Sequence, residues 1–297
     1  MALSDLKTER QNRASSDLDK LSALEIATLM NREDAKVLRA VHKALPEIAK
    51  AIDVVHGCLA KGGRLIYVGS GTSGRLGALA ASECPPTFGV DSSLIQYVMA
   101  GGERALANAT EASEDSSQLG SSDMAARKPG KKDVVVGLAA SGRTPYTIAA
   151  LKYAAKKGAA TVAVICNRGS ELARVAQIAI AAEVGPGVLT GSTRLKAGTA
   201  QKLICNMLTT GAMARLGYVY GNLMVHMQLK NEKLIERGIS IVQRIAKINR
   251  AVALATLKTA DMKLPLALVM LCAKVSKPEA VRRLKRAQGS IRKAIEA

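Results

Sequence analysis

Residues 64–90 read RLIYVGSGTSGRLGALAASECPPTFGV, and the fold follows from them. The apolar run Leu65 to Val68 has the character of a buried strand. It enters Gly69, Gly71 and Gly74, interspersed with Ser70, Thr72 and Ser73, and a helical stretch from Arg75 to Ser82 follows. A strand, a small-residue turn and a helix start together make an anion site. The first-turn N–H groups lack intrahelical partners, and the helix dipole favours negative charge there. Pro85 and Pro86 cannot donate backbone hydrogen bonds, so the helix should end before them and leave Glu83 at its C-terminus. The dipole there disfavours a negative charge.

The same stretch spells G-x-G-x-x-G at Gly69, Gly71 and Gly74. A dinucleotide fold would carry an acidic residue about 20 residues further on, at the end of the next strand. That strand, Leu94 to Met99, ends in Ala100-Gly101-Gly102, and Asp91 precedes it. The ribose ligand is therefore missing. The hydroxyls of Ser70, Thr72 and Ser73 suit a phosphomonoester better, because its oxygens take several donors.

The pattern recurs. Asp133 to Leu138 reads as a strand and runs into Ser141-Gly142-Arg143-Thr144-Pro145 before a helix from Tyr146 to Lys157. Pro145 suits a first helical turn. Ser73-Gly74-Arg75 and Ser141-Gly142-Arg143 thus both follow buried strands. Further strands are expected at Thr161 to Cys166 and Ile178 to Ala182. A third small-residue turn, Gly191-Ser192-Thr193, leads into a long helix with Arg194 and Lys196 in its first turn. Positive charge at a helix start is unfavourable unless an anion is near. Upstream, Leu24 to Met30 and Asp34 to Leu59 have helical periodicity, and Glu103 to Glu114 reads as a helix that places Glu111 and Glu114 on one face. Alternating strands and helices with ligand loops after strands predict an α/β fold. Its open parallel sheet carries helices on both faces. The expected division is an arm and helices over residues 1–60, a domain carrying the sheet and the three anion-binding loops over 61–245, and a small helical domain over 246–297.

Composition narrows the function. Aromatic residues make up 2% of the 297, with no Trp and one Phe, which argues against base stacking on single-stranded nucleic acid. The net charge is +19, and residues 230–297 hold 16 Lys and Arg against 5 Asp and Glu. That surplus reads as a solvated helical face. Cys58, Cys84, Cys166, Cys205 and Cys272 are scattered, as expected of reduced thiols in the cytoplasm. His42, His56 and His226 lie too far apart for a local metal motif, and no run is long enough to span a membrane.

Six stretches together resemble one family. They are GSGTSGRLGALAASECPPTFGV (69–90), AGGERAL (100–106), EASEDS (111–116), GLAASGRTPY (137–146), GPGVLTGSTRLKAGTAQK (185–202) and GNLMVHMQLKNEKL (221–234). They look like the N-acetylmuramic acid 6-phosphate etherases, lyases on the sugar isomerase (SIS) fold, over residues 8 to 240 with a weaker helical tail. The resemblance implies cleavage of the D-lactyl ether of N-acetylmuramate 6-phosphate to N-acetylglucosamine 6-phosphate and D-lactate. It implies a cytoplasmic homodimer acting on a small sugar phosphate, with no metal, no cofactor, no nucleic acid and no membrane. Its catalytic carboxylates fall on Glu83 and Glu114. Substrate and phosphate contacts are expected from Ser70, Gly71, Thr72, Ser73, Gly74 and Arg75. Further contacts are expected from Ser141, Gly142, Arg143 and Thr144, and from Ser192, Thr193 and Lys196. Glu83, at a helix end, is the candidate acid, and Glu114, among polar neighbours, the candidate base. The chain departs from the family pattern at Ala80, Ala112, Arg168, Gly187 and His226; at 80, 187 and 226 the family carries a carboxylate. Two other readings share the fold: a non-catalytic sugar-phosphate sensor, and a sugar-phosphate isomerase. Release of D-lactate separates the etherase from both.

Overall fold

The computed structural model describes residues 6–108 and 113–297. Along the chain it forms α1 (Ala23–Lys43), α2 (Leu45–Ala60), β1 (Leu65–Gly69), α3 (Gly71–Ser82), α4 (Cys84–Phe88), β2 (Ile95–Met99), α5 (Arg104–Ala107) and α6 (Ser117–Ala126). Then come β3 (Val134–Leu138), α7 (Pro145–Lys156), β4 (Ala160–Ile165), α8 (Glu171–Val175), β5 (Ile178–Ala181) and α9 (Lys196–Arg215). Five helices finish it: α10 (Glu232–Ala246), α11 (Arg250–Thr259), α12 (Leu264–Cys272), α13 (Lys277–Arg286) and α14 (Ile291–Glu296).

These elements gather into two units. The first holds residues 1–82 and 92–209, and the second holds residues 83–91 and 210–297, the division falling within α9. In the first unit five parallel strands lie in the order β2-β1-β3-β4-β5, as the alternating pattern predicts. β1 and β3 are buried throughout, so their apolar runs do not alternate. Ile66, Val68, Val135, Tyr146, Leu151 and Ile165 form the centre of one core. The second unit has its own core, with Val225, Val242, Leu257, Leu264, Leu268 and Ile291 at its centre. Pro265 and Pro278 stand in the first turns of α12 and α13, where a missing N–H costs nothing. On α13 only Ala280 is buried; Arg282 and Arg286 project to solvent around Glu279.

Three local expectations are corrected. The first helical region breaks at Ala44, not between Met30 and Asp34, because Pro46 sits in the first turn of α2 and nothing stops a helix earlier. α3 begins at Gly71, four residues before Arg75, so the small-residue turn is itself the first helical turn. The helix expected over Glu103 to Glu114 closes at Ala107, with Asn108 extended. Glu111 and Ala112 lie outside the described residues.

One ion pair ties the N-terminal helices to α9. The Glu33 and Lys196 side chains are 2% and 3% exposed, and Lys196 Nζ lies 2.8 Å from Glu33 Oε2. Lys36 Nζ donates to Glu33 Oε1 at 2.5 Å and Asn12 Nδ2 to Oε2 at 3.0 Å. Burial alone would raise the Glu33 carboxyl; the bonds from Lys196, Lys36 and Asn12 outweigh it and hold the group down to about 2. An unfolded glutamate binds its proton near 4.5, so the pair stabilises the fold above that value, and the stabilisation is lost as pH falls from 4.5 toward about 2. Lys196→Met is expected to cost about 3–5 kcal/mol, because it leaves a buried carboxylate short of its partner. It should also flatten the acid limb of stability. Urea midpoints for both proteins across that pH range check both points.

Candidate active site

The first loop is built by close packing. A Cβ on Gly74 would stand 2.8 Å from the Gly69 carbonyl oxygen, and one on Gly69 would stand 2.9 Å from both Gly74 N and Leu138 O. The first and third glycines of the motif therefore serve the approach of α3 to β1, with no nucleotide required. The middle glycine does something else. Gly71 has φ +50°, and a Cβ there would lie 2.9 Å from Glu114 Oε1. The Glu114 carboxylate thus stands at the N-terminus of α3, where the helix dipole favours negative charge. Its backbone is tied down as well: Tyr146 N donates to the Glu114 carbonyl at 3.1 Å.

The other residues of this loop divide by task. Ser70 is buried, and its carbonyl accepts from Gly74 N. Thr72 faces Gly198 of α9. Ser73 Oγ donates to Gln201 Oε1 at 2.9 Å. Arg75 turns to the backbone: Nε donates to the Leu106 carbonyl at 3.0 Å and Nη2 to that of Asn108 at 3.1 Å. That holds the segment leading toward Glu114.

The second loop offers more open donors. Arg143 N donates to Ser141 Oγ at 3.2 Å, which leaves the Ser141 hydrogen without an acceptor among the described residues. Gly142 has φ +69°, and a Cβ there would come within 2.1 Å of Ser170 Oγ, so only glycine fits. Thr144 is the N-cap of α7, yet its hydroxyl makes no capping bond. Arg143 is exposed.

In the third loop Ser192 and Thr193 are half-buried and Arg194 is exposed. Ser192 N donates to Leu189 O, and Thr193 O accepts from Gly198 N. Lys196 has found its anion inside the protein, in Glu33. It also borders a cavity of about 390 Å³ whose lining includes Lys7, Lys36, Arg39, Lys43 and Arg168.

Glu83 belongs to the second unit. It is exposed and precedes α4, whose first turn contains Pro85 and Pro86. The prolines thus end α3 and also start a second, five-residue helix. Thr87 Oγ1 donates to the Glu83 carbonyl at 2.7 Å, while Cys84 and Phe88 are buried. Gly89 closes α4 in the left-handed region, and a Cβ there would come within 2.2 Å of the His226 carbonyl oxygen. The His226 ring lies 4.7 Å from Tyr218, and burial pushes its pKa down despite a backbone hydrogen bond at Gly289. Of the other departures, Ala80 is buried, and Gly187 would bring a Cβ to 3.1 Å from Leu189 O. Arg168 Nε lies 3.8 Å from a Glu183 carboxylate oxygen.

None of the five cysteines forms a disulfide; burial pushes Cys166 and Cys205 up to about 12, so neither is a ready nucleophile. Among the described residues no helix is long and apolar enough to cross a membrane, and no three His, Cys, Asp or Glu side chains converge as a metal site.

Residues 107–211 match the SIS domain family, and residues 47–155 match the glucokinase regulatory protein N-terminal SIS domain. The class is therefore that of SIS-domain proteins. Curated relatives narrow it. The chain is 51% identical over 294 residues to an N-acetylmuramic acid 6-phosphate etherase of Clostridium beijerinckii, covering 99% of this chain and 97% of that one. It is 49% identical over 296 residues to the etherase of Enterobacter sp. (strain 638), covering 100% of each. The etherase of Actinobacillus pleuropneumoniae serotype 5b is 48% identical over 294 residues, with 99% and 97% covered. The chain belongs to the N-acetylmuramic acid 6-phosphate etherase family. The similarity runs on through the C-terminal helices, beyond the residue 8 to 240 span carried by the motifs.

Gly71→Ala tests the placement of Glu114. A side chain in the left-handed region should cost about 1–2 kcal/mol. The same Cβ would push on the Glu114 carboxylate, and a shift of that kind can cost up to about 10²-fold in turnover. Parent turnover in a folded Gly71→Ala protein would show that this contact does not fix the carboxylate.

Proposed function

We propose that the chain cleaves the D-lactyl ether of N-acetylmuramic acid 6-phosphate, releasing N-acetylglucosamine 6-phosphate and D-lactate. One observation carries the reading: a Glu114 carboxylate oxygen stands at Gly71, in the anion-binding loop after β1. Full-length similarity to etherases and the retention of Glu83 support it.

An ether at a ring carbon is a poor target for direct hydrolysis. In the open-chain sugar, the C1 aldehyde acidifies the proton at C2. Glu114 takes that proton, and hydroxyl and N–H donors stabilise the enolate charge. The electron pair then expels the C3 oxygen as lactate, and Glu83 supplies the proton that the departing oxygen needs. Water adds its oxygen to C3 of the unsaturated aldehyde and a proton returns to C2, so the product has the composition of substrate plus water minus lactate.

The 6-phosphate is read as held between the second loop and the Ser73 hydroxyl of the first. Ser141 and Thr144 have hydroxyls free to donate, and they stand at the N-terminus of α7, where the helix dipole favours an anion. Such bonds exist before and during the reaction, so they contribute mostly uniform binding. We further read the protein as a homodimer in the cytoplasm. Leu24 and Leu38, exposed on α1 and separated by about four helical turns, offer apolar surface to a second copy.

Purified protein given N-acetylmuramic acid 6-phosphate should release D-lactate. In heavy water the product should carry deuterium at C2, and labelled water should leave its oxygen on C3. Label in the lactate would mean displacement at the lactyl carbon and would sink the mechanism; no lactate at all would sink the function. Glu83→Gln and Glu114→Gln should each lose about 10²-fold or more in kcat. Ser141→Ala should instead raise KM by an amount worth roughly 1.5–3 kcal/mol, with a smaller effect on kcat.

A further inference from the structure

Gln201 is the polar side chain in this region that the chemistry above leaves unused. It lies on α9, is 1% exposed, and touches the first loop through a single hydrogen bond to Ser73 at 2.9 Å. Its Nε2 is sealed from solvent with no partner among the described residues. A buried amide nitrogen without an acceptor is costly, and orphan buried N–H groups are rarer than under-satisfied carbonyls. The two ends of a carboxamide are nearly the same shape. Turning the group by 180° about its last bond brings Nε2 to the Ser73 oxygen and leaves the carbonyl as the less costly orphan.

The turn changes what Ser73 can do. With Oε1 toward it, the serine spends its only hydrogen on Gln201. With Nε2 toward it, the serine oxygen accepts from Gln201, and the hydroxyl hydrogen is free to donate to a ligand at the first turn of α3. We infer that Gln201 is a positioning residue that donates to Ser73 Oγ and so aims the Ser73 hydroxyl at an anionic oxygen of the sugar phosphate. The inference rests on the reading that the first loop binds that substrate. It explains why an amide, which can donate, stands where a plain apolar residue would pack in a 1%-exposed site. It also explains how a serine already engaged at 2.9 Å can still serve a ligand.

The test compares Gln201→Met, Gln201→Glu, Ser73→Ala and the Gln201→Met/Ser73→Ala double variant, measuring kcat and KM for N-acetylmuramic acid 6-phosphate. Ser73→Ala should raise KM roughly tenfold, the loss of one hydrogen bond to a charged group. Gln201→Met keeps the bulk but frees the hydroxyl to wander, so KM should rise several-fold with kcat changed less, and the double variant should be no worse than Ser73→Ala alone. Gln201→Glu places an acceptor where a donor is needed, so its KM should exceed that of Gln201→Met. Its KM relative to the parent's should recover as pH falls and the carboxyl regains a proton; a merely structural role would not show that pH dependence. Suppose Ser73→Ala raises KM while both Gln201 variants keep the parent value. Then the inference is wrong and the loop reading stands. If Ser73→Ala itself leaves KM unchanged, the loop reading falls and the inference falls with it. A Gln201→Glu protein with the parent KM would show that Ser73 donates to residue 201, and that too overturns the inference.

Discussion

The close approach of Gly69 to Gly74 is the constraint on which the rest of the first unit depends. With 2.8 Å between the Gly69 carbonyl oxygen and a Cβ at Gly74, no side chain fits at the turn from β1 into α3. The contact lets α3 start at Gly71, directly after the strand. That start puts the unpaired N–H groups of the first turn at the C-terminal end of a central strand, where open parallel sheets bind their ligands. It also leaves a Glu114 carboxylate oxygen where a Cβ on Gly71 would meet it at 2.9 Å.

A second constraint is electrostatic. Lys196 opens α9 with a charge of the wrong sign for a helix start. Glu33 removes that difficulty and is in turn held by Asn12 and Lys36, so the N-terminal segment, α1 and α9 share one buried network. Burying a charge is tolerable only when it is paired and hydrogen-bonded. The charge that follows the third small-residue loop is thereby held inside the protein.

The strands, the order of elements and both Ser-Gly-Arg loops were legible in the sequence because their signals are local: apolar runs, glycine punctuation and hydroxyl clusters. The start of α3 was missed by four residues because glycine disfavours helix on average, whereas packing against β1 overrides that preference here. The break before Pro46 was missed because α1 and α2 continue each other's apolar periodicity across Ala44. The charge on Lys196 points in the sequence to a bound anion; the acid group the structure places there is Glu33, 163 residues away, and sequence spacing carries no record of that contact. Arg75 looked like a phosphate ligand and instead binds the carbonyls of Leu106 and Asn108. Gln201 gave no signal of its own, since a lone glutamine in a helix has no pattern to read.

The fate of the cations bears on how a phosphate can be recognised. Of the basic residues nearest the three loops, Arg75 and Lys196 are already engaged, and Arg143 and Arg194 are exposed. Neutral donors are what remain: the Ser141 and Thr144 hydroxyls, the first-turn N–H groups of α3 and, with Gln201 donating to it, the Ser73 hydroxyl. Such groups bring no full charge into the interior, so leaving them empty costs far less than leaving a buried cation unpaired. They also bond a dianion at fixed directions, which sorts a phosphate ester from a neutral sugar by geometry as well as by charge. A carboxylate is therefore tolerable at the head of α3: Glu114 takes the dipole end beside Gly71, while neutral hydroxyls of both loops are what a phosphate would meet.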